Sequence, residues 1–532
     1  MKLNNKALKD KSFWETAGIA LPSYDREAMI ASTKEAPKWV HFGAGNIFRA
    51  FPATLCQSLL EQGLENTGVV VVEGYDGEII DRCFTAFDNL SILVTLKACG
   101  NTEKQVVSSV ALAFKMEELG DLREIFASPS LQMASFTVTE KGYSLGAGGA
   151  LFPDIAEDIK TGPASPKSFL GRVAALCHER FVRGRLPLAM VSMDNCSHNG
   201  DVLFTAIETI AKGWTGNGAA QSGFLDYVRD KNKLSFPWTM IDKITPRPDD
   251  SVRDMLISCG LEDMHGFVTR KNTFAAPFVN AEETQYLVVE DVFPNSRPPL
   301  EKAGVIFTDR ETVDKVERMK VCACLNPLHT SLAVFGCLLG YTRISEEMKD
   351  PDLVKLIEGI GRRESLPVTT NPLIIKPEDF LDQVIRVRLP NPFIPDTPQR
   401  IATDSSLKIP IRFGETIKAW KSAGKDCVHL EFIPLVLAGW LRYFLSVDDQ
   451  GRHFEVSPDP NYESIASRLS GATAGQPKAL HTRLEPILSN PEFFGVNLYE
   501  ARLGEKVEEL FSRMLAGPGA VRKTLCEVCS CI

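Results

Sequence analysis

Three side chains suited to acid–base and hydrogen-bonding chemistry stand close together in the stretch KVCACLNPLHTSLAVFG: Lys320, Asn326 and His329. Apolar neighbours disfavour a charged ammonium, and an amine that is uncharged for part of the time near neutral pH can serve as a general base. Asn326–Pro327 predicts a helix start, with Asn as the N-cap and Pro at the first helical position. His329 then lies on the first turn of that helix.

Each of these three residues also has a purely structural interpretation. Asn326 can simply cap the helix, and His329 can be a core histidine whose ring is hydrogen-bonded. Lys320 can extend its ammonium to water along its apolar stem. Spacing alone does not decide between the catalytic and the structural alternatives.

A second candidate site is the stretch HFGAGNIFRAF, residues 41–51, where Gly43 and Gly45 follow a short apolar run. A strand, a glycine turn and a helix start are typical of a dinucleotide site, in which the backbone approaches a pyrophosphate at a helix N-terminus. Phe48 replaces the third glycine of that fingerprint, so an ordinary turn between strand and helix remains an alternative. Arg49 is either an additional cation for the phosphates or a surface residue.

An acidic residue after the next strand supports nucleotide binding. The run TGVVVVEGYD carries Glu73 and Asp76 at its end. A carboxylate in this place accepts hydrogen bonds from an adenosine ribose and repels a 2′-phosphate, so the pattern favours NAD over NADP. The alternative is a solvated strand end.

The candidate sites need a framework of strands and helices to position them. KWVHF, RAFPATLCQSLLEQG and TGVVVVE predict a strand, a helix and a strand, and ILVTLKA, SFTVTEKGY and LPLAMVSMDN are further strand candidates. Strands that alternate with helices predict an α/β fold with a parallel, doubly wound sheet. The proline-rich segment at 289–304 indicates a domain boundary, and the chain beyond it is mostly helical in pattern. We therefore expect one domain over residues 1–292 and a mostly α-helical domain over residues 293–532.

Composition excludes several classes of function. The 532 residues are 44% hydrophobic and 24% charged, with a formal net charge of −9, so no nucleic-acid or anionic-membrane surface is expected. The N-terminus lacks the apolar segment of a secretory signal, and polar residues within the apolar stretch 321–342 favour a buried helix over a membrane span. We expect a cytoplasmic protein. The tail CEVCSCI is either a thiol cluster for a metal or an oxidant, formed by Cys526, Cys529 and Cys531, or a frayed end.

Six motifs follow one another along the chain: GAGNIFRA, TVTEKGY, VSMDN, MIDKITPRPDD, KVCACLNPLH and RLPNPFIPDTPQRI. Together they resemble the polyol-specific long-chain dehydrogenases, the mannitol dehydrogenase family. The turn of that family, Gly-x-Gly-x-Phe-x-Arg, matches Gly43, Gly45 and Arg49, with Phe48 displaced by one position. The resemblance implies an NAD-dependent oxidoreductase with a Rossmann-type N-terminal domain, a helical C-terminal domain, an active site between them and no catalytic metal.

The resemblance also implies roles for individual residues. Lys320 is expected to be the general base, with Glu317 as a proton relay. Asn195 and Asn326 are expected to hold the reacting oxygen, and His329 to bind the substrate. Cofactor contacts are expected from Gly43, Gly45, Asn46, Ile47, Phe48, Arg49, Glu73, Asp76, Thr139 and Glu140.

The spacing of the catalytic motif departs from the family pattern. The family has four residues between the lysine and the asparagine, whereas five separate Lys320 from Asn326. One inserted residue rotates the rest of a helix by about 100°. Either a bulge or a break before Pro327 absorbs the extra residue, or Lys320 points away from the site. We favour the bulge or break, because Asn–Pro already indicates a helix boundary.

The implied substrate is a secondary alcohol on a sugar acid or a polyol. A sugar acid brings a carboxylate that needs a cation, for which Arg388 in RLPNP and Lys408 in SLKIP are candidates; ordinary ion pairing is the alternative. Asp242 and Lys243 either line the cleft or pair with each other. A different class of function is a non-catalytic protein that senses NAD and acts through protein partners, and such a protein needs no buried lysine. The sequence leaves the oligomeric state open.

Overall fold

The protein, described by a computed structural model over residues 1–530, forms two compact units. The first unit comprises Met1–Lys97 and Asn101–Asp314. The second unit begins at Lys315 and also includes Ala98–Gly100. Each unit has its own architecture.

The two units divide further along the chain than the boundary at 292/293 expected from the sequence. Strand Ile306–Thr308 pairs in parallel with strand Tyr286–Glu290. Because both strands belong to one sheet of the first unit, the proline-rich segment that connects them belongs to that unit as well. Prolines that indicate a domain linker in the sequence therefore belong to a connection within one sheet.

Strands of the first unit form one large sheet and several small ones. In chain order they are β1 Trp39–Phe42, β2 Val69–Glu73, β3 Ser91–Leu96, β4 Thr102–Val107, β5 Val110–Lys115, β6 Met133–Phe136, β7 Gly146–Ala147, β8 Ala150–Leu151, β9 Leu188–Ser192, β10 Leu234–Ser235, β11 Thr239–Asp242, β12 Phe267–Val268, β13 Phe274–Ala275, β14 Phe278–Glu282, β15 Tyr286–Glu290 and β16 Ile306–Thr308. The large sheet has the order β10–β9–β6–β1–β2–β5, and its strands are all parallel. Read from β5, this is the strand order of dinucleotide-binding domains, so the predicted doubly wound, Rossmann-type fold is confirmed.

The large sheet is built from strands that are buried on both faces. Every residue of β1 and β2 is buried, as expected for parallel strands covered by helices on each side. ILVTLKA forms a strand as predicted but lies in a different sheet, where β3 pairs antiparallel with β4 and parallel with β14. The short connection between β3 and β4 allows only an antiparallel pair.

Helices of the first unit cover the sheets. They are α1 Lys11–Ala17, α2 Arg26–Glu35, α3 Asn46–Ala50, α4 Pro52–Glu61, α5 Leu119–Ala127, α6 Pro153–Thr161, α7 Phe169–Val182, α8 Asn199–Gly216, α9 Phe224–Arg229 and α10 Asp250–Ser258, and α11 Arg310–Met319 leads out of the unit. The second unit continues with α12 Asn326–Leu339, α13 Ile344–Glu347, α14 Pro351–Glu358, α15 Pro377–Gln383, α16 Pro398–Ala402, α17 Ser405–Ile409, α18 Glu415–Ser422, α19 Phe432–Tyr443, α20 Tyr462–Leu469, α21 Pro477–Leu488, α22 Pro491–Phe494, α23 Gly504–Met514 and α24 Ala520–Ser530. The predicted helical C-terminal region is confirmed.

Wide π-helical turns interrupt the helices of the second unit. They are Lys320–Cys324, Gly359–Ser365, Val384–Arg388 and Pro410–Gly414. A π-helical turn inserts one residue into a helix, and such turns are frequent at functional sites. Three of these four turns contain a cation that is important below.

The helical run Arg310–Leu339 is, within residues 1–530, the one helix long and apolar enough to cross a membrane. Its apolar window is 78% buried inside the protein. Core helices of folded proteins meet the same criteria of length and composition, so the run is weak evidence for a membrane span.

The cysteine tail lies partly at the edge of the described chain. Cys526 and Cys529 are on α24, and Cys526 Sγ is 2.8 Å from Asp352 Oδ2. Cys531 lies outside the described residues. Over the part of the chain that the structure covers, no three histidine, cysteine or acidic side chains are grouped to hold a metal.

Candidate functional site

The glycine turn after β1 lies where the strand order of the large sheet reverses. Gly43 has a φ of +109°, and a Cβ there would stand 2.2 Å from the backbone oxygen of Thr137, after β6. Only glycine fits so close an approach. Nothing lies within 4 Å of a Cβ built on Gly45, so the turn is open on that side. Ligands of doubly wound sheets bind at this reversal point.

Phe48 and Arg49, the unusual residues of the turn, are both buried. Phe48 is fully buried and stacks on His41, with 4.3 Å between ring centroids. Arg49 is 1% exposed and donates hydrogen bonds to the backbone oxygen of Ala276 and to Asn46 Oδ1. Burial lowers the pKa of Arg49. The surface alternative for Arg49 is therefore wrong, and both side chains pack the turn against the rest of the first unit.

Glu73, at the end of β2, organises the backbone around the turn. Its Oε2 accepts a hydrogen bond from Ala44 N at 2.8 Å, and its Oε1 accepts from Tyr75 N and Asp76 N. Asp76 Oδ2 accepts from Thr269 Oγ1, whereas no donor among residues 1–530 is bonded to Asp76 Oδ1. Asp76 is thus better placed than Glu73 to accept a hydrogen bond from a ligand.

A cavity of about 580 Å³ opens at this end of the sheet. The glycine turn, the end of β2 and the loop after β6 contribute to its wall, with Gly43, Gly45, Glu73, Asp76, Thr137 and Thr139 among the lining residues. Its volume lies in the range of small-molecule and cofactor sites. Five of the residues expected to contact the cofactor therefore line one cavity: Gly43, Gly45, Glu73, Asp76 and Thr139.

Asp194 holds the loop after β6, although the sequence analysis did not select it. Its carboxylate accepts hydrogen bonds from Val138 N, Thr139 N and Tyr143 Oη at 2.8, 2.9 and 2.6 Å. Thr139 has a φ of +67°, a conformation that a threonine adopts only when its surroundings hold it. Burial raises the pKa of Asp194. Because Asn195 directly follows, the residue that shapes this loop also positions an exposed asparagine.

Two further candidates of the first unit lie at the end of β11. Asp242 is 5% exposed. Lys243 Nζ donates hydrogen bonds to the backbone oxygen of Glu282 and to Gln285 Oε1. These bonds attach Lys243 to the loop between β14 and β15, so the lysine helps to hold that loop.

Lys320 is the first residue of the π-helical turn that joins α11 to α12. The wide turn accommodates one more residue than an α-helical turn, which accounts for the spacing that departs from the family pattern. Lys320 is 4% exposed. Thr416, on α18, donates a hydrogen bond from Oγ1 to the backbone oxygen of Cys322 at 3.1 Å. The lysine is therefore buried on a turn that a neighbouring helix holds in place.

The start of α12 differs from the prediction. Leu325 is the N-cap, Asn326 is the first helical residue and Pro327 the second, because the chain is still in the wide turn at Cys324. Asn326 therefore does not cap the helix. Its side-chain amide is partly exposed and has no hydrogen-bond partner within residues 1–530. The amide is free to donate to a ligand oxygen.

His329 lies on the first turn of α12, near several positively charged side chains from other segments of the second unit. We call this group the cation cluster and define it as His329, Arg388, Asp396, Arg400, Lys408 and Arg412. Burial and, after it, the charges of the four cations lower the pKa of His329 to about 3. His329 is therefore neutral at physiological pH, with one ring nitrogen as a donor and the other as an acceptor.

Asp396 is the acidic member of the cation cluster. Its Oδ2 lies 3.2 Å from His329 Nε2, at an angle that forms no hydrogen bond. Its Oδ1 pairs with Arg400. Within residues 1–530, Lys408 and Arg412 form no ion pair with a carboxylate.

The structure brings together the two cations proposed for a substrate carboxylate. Arg388 is 3% exposed at the end of the π-helical turn Val384–Arg388. Lys408 Nζ donates to the backbone oxygens of Ile401 and Thr403. The charges of both act on His329.

Two parts of the chain match the two domains described for mannitol dehydrogenases. Residues 37–302 match the mannitol dehydrogenase Rossmann domain, and residues 312–510 match the mannitol dehydrogenase C-terminal domain. The chain belongs to the mannitol dehydrogenase family. The resemblance found in the six motifs is therefore confirmed, and the chain is an oxidoreductase of this family.

Several known proteins are similar to this chain over nearly their whole length. D-mannonate oxidoreductase of Thermotoga maritima is 52% identical, over 99% of this chain and 99% of the relative. A D-sorbitol dehydrogenase in substrate-free form has a TM-score of 0.82 at 24% identity, covering 99% of this chain and 100% of that one. A Pseudomonas fluorescens mannitol 2-dehydrogenase in complex with NAD and D-mannitol has a TM-score of 0.70 at 26% identity, covering 100% of both chains.

Sequence reasoning missed two cations that this member of the mannitol dehydrogenase family places beside His329. In PQRIATDSSLKIPIR, Arg400 precedes Lys408 by eight residues and Arg412 follows it by four. A spacing of four places side chains on one helix face, so Lys408 could have indicated Arg412. Arg400 offered no such signal, because α16 and α17 are separate helices.

Replacing Glu73 with glutamine should destabilise the first unit. All three partners of Glu73 are backbone N–H donors, and the glutamine amide must turn its own N–H groups towards at least one of them. We expect the free energy of unfolding to fall by about 1–3 kcal/mol, measured by urea denaturation. Glu124→Gln, at a side chain that is 76% exposed, is the control and should leave the urea midpoint unchanged. Equal midpoints for both variants would contradict this role of Glu73.

The neutral state of His329 should make stability depend on pH. The pKa of His329 is about 3 in the folded protein and about 6.5 in an unfolded chain, so the unfolded state takes up the proton first as the pH falls. The contribution of neutral His329 to the free energy of unfolding is therefore complete above about pH 6.5. Below that pH it decreases, by up to about 1.4 kcal/mol per pH unit.

We expect the free energy of unfolding of His329→Asn to fall less steeply than that of the parent between about pH 7 and pH 5, because asparagine does not titrate. His453→Asn, at an exposed histidine of the same unit, should keep the parent's slope. Parallel curves for His329→Asn and the parent would show that His329 does not titrate in this way.

Proposed function

We propose that the protein interconverts D-mannonate and D-fructuronate with NAD. The observation that carries the proposal is the 52% identity to D-mannonate oxidoreductase of Thermotoga maritima over 99% of both chains. Lys408 and Arg412 support it, because they form no ion pair within residues 1–530 and a sugar acid brings a carboxylate that can pair with them.

The first unit has a site that fits NAD. Gly43 permits a close backbone approach at the reversal point of the sheet, beside a cavity of about 580 Å³. Asp76 retains an acceptor oxygen for a ribose hydroxyl and would repel a 2′-phosphate, which favours NAD over NADP. We assign further contacts to Thr139 and Glu140 in the loop that Asp194 shapes. The Pseudomonas fluorescens relative was solved with NAD.

Lys320 is the proposed general base. In oxidation its uncharged Nζ removes the proton from the substrate hydroxyl, and in reduction the ammonium returns it. When bound, NAD supplies the hydride acceptor, which is chemistry that no side chain provides. Glu317 lies one helical turn before Lys320 and is partly exposed, so we assign it the relay of the proton to solvent.

Asn195 and Asn326 are the proposed donors to the reacting oxygen. That oxygen gains negative charge as its proton leaves, and fixed amide N–H groups stabilise the charge. The unpartnered amide of Asn326 suits this role. Neutral His329 can bind a neighbouring hydroxyl without adding a charge. Asp242 and Lys243 keep their proposed place beside the substrate.

A neutral polyol is the second candidate substrate. The Pseudomonas fluorescens relative was solved with D-mannitol, which has a hydroxymethyl group where a sugar acid has a carboxylate. D-tagaturonate is a further candidate, because it differs from D-fructuronate at one carbon centre. The cation cluster favours the sugar acids over the polyol.

A substrate panel tests the proposed function through the absorbance of NADH. The purified protein is mixed with NADH and D-fructuronate, D-tagaturonate or D-fructose, and with NAD⁺ and D-mannonate or D-mannitol. We expect the highest kcat/KM with D-fructuronate in one direction and D-mannonate in the other. A preference for D-fructose and D-mannitol would make the protein a mannitol 2-dehydrogenase. NADH binding without turnover of any substrate would favour the non-catalytic NAD sensor.

Replacing Lys320 with alanine should abolish most of the activity while leaving the cofactor site intact. We expect kcat to fall by about 10²- to 10⁴-fold, the usual contribution of a general base, with partial recovery on addition of a small primary amine. NADH binding, followed by fluorescence, should stay at the parent's level. Lys349→Ala, at a side chain that is 71% exposed in the same unit, is the matched control. A Lys320→Ala variant with the parent's kcat would overturn the mechanism.

A further inference from the structure

Arg412 is a partly buried cation that no carboxylate of the described chain pairs with. Its guanidinium, on the π-helical turn Pro410–Gly414, donates a hydrogen bond to Thr330 Oγ1. Among residues 1–530, no carboxylate lies within the 4.0 Å of an ion pair with it. Burial lowers the pKa of Arg412 to about 10, so the group remains protonated at neutral pH. Four of its five N–H donors are available for another partner.

Lys408, one helical turn before Arg412, is a second partly buried cation. Its Nζ is bonded to the backbone oxygens of Ile401 and Thr403, and within the described chain it forms no ion pair. Burial and then the charge of Arg412 lower the pKa of Lys408, and the carboxylates of Asp404 and Asp459 offset part of that effect. Arg412 and Lys408 repel each other, and a bound anion would reduce that repulsion.

The position of Thr330 on α12 fixes where such an anion would lie. Asn326 and Thr330 are four residues apart on one helix and share a face. The helix rise of 1.5 Å per residue separates them by about 6 Å along the axis. In D-fructuronate, four carbon–carbon bonds join the carbonyl carbon to the carboxylate carbon, about 5 Å in an extended chain. A substrate whose reacting oxygen meets Asn326 can therefore place its carboxylate beside Thr330, where Arg412 is bound.

We propose that Arg412, held by Thr330, binds the carboxylate of the sugar acid and determines the preference for sugar acids over neutral sugars of the same length. This inference rests on the proposed function. The planar guanidinium can pair with both carboxylate oxygens, and Lys408 adds a second charge beside it. A hydroxymethyl group in the same place leaves both cations without an anion, so a neutral sugar binds less well.

The test compares two substrates that differ only at that position, D-fructuronate and D-fructose. For Arg412→Gln, we expect kcat/KM with D-fructuronate to fall on the order of 100-fold or more, mostly through KM, because a buried charge pair is lost. With D-fructose the change should be less than about threefold. Arg412→Lys keeps the charge but not the paired donors, so its loss with D-fructuronate should be intermediate. Where turnover of D-fructose is too slow, the inhibition constants of D-mannonate and D-mannitol give the same ratio.

Two further variants separate binding from folding. Arg386→Gln, at an arginine that is 70% exposed within the π-helical turn Val384–Arg388, should match the parent with both substrates. Thr330→Val keeps the shape of the side chain and removes the hydrogen bond to Arg412. Thr330→Val should lower kcat/KM with D-fructuronate selectively. If Arg412→Gln does not fold, Thr330→Val is the decisive variant.

The outcomes distinguish the inference from the proposed function. One outcome is that the parent reduces D-fructuronate, but the Arg412 and Thr330 variants keep the parent's ratio of kcat/KM with D-fructuronate to kcat/KM with D-fructose. In that case Arg412 does not bind the carboxylate. If the parent reduces D-fructose alone or neither sugar, the proposed function is wrong, and the inference falls with it. A selective loss with D-fructuronate supports both.

Discussion

The partial burial of several cations around His329 is the main electrostatic constraint on the second unit. A cation in an apolar interior is costly unless an anion or hydrogen bonds compensate for the lost water. Asp396 pairs with Arg400, two backbone oxygens accept hydrogen bonds from Lys408, and Thr330 accepts one from Arg412. Burial and, after it, the charges of the cations lower the pKa of His329 and keep it neutral. The carboxylate of the proposed substrate would give Arg412 the ion pair that it lacks within residues 1–530.

Widened helical turns are the means by which these cations reach their places. Lys320, Arg388 and Arg412 each belong to a π-helical turn. Such a turn changes the direction of a side chain by one residue without ending the helix, and it is retained where function requires it. At Lys320 the same turn moves the start of α12, which releases the amide of Asn326 from capping. One local distortion thus affects both the base and one of the groups proposed to stabilise the alkoxide.

In the first unit, negatively charged side chains hold loops in place through hydrogen bonds. Glu73 and Asp194 are carboxylates that each accept three hydrogen bonds, and most of their donors are backbone N–H groups of loops. Buried acceptors with several donors give a loop one conformation, even where Thr139 has a positive φ. The resulting frame around the glycine turn is rigid before any ligand binds, which limits the entropy that binding must overcome.

The sequence by itself determined the doubly wound sheet, the helical second half and the group of lysine, asparagine and histidine, because these depend on periodicity and spacing within short stretches. Only the tertiary structure decided which sheet β3 joins, where the units divide, and that Arg400 and Arg412 stand beside His329. It also decided that Asp194 shapes the loop after β6. The physical reason is that a strand partner, a hydrogen bond to a distant loop or a shared cluster of charges depends on how segments far apart in the chain pack together. Patterns within short stretches of sequence do not predict that packing.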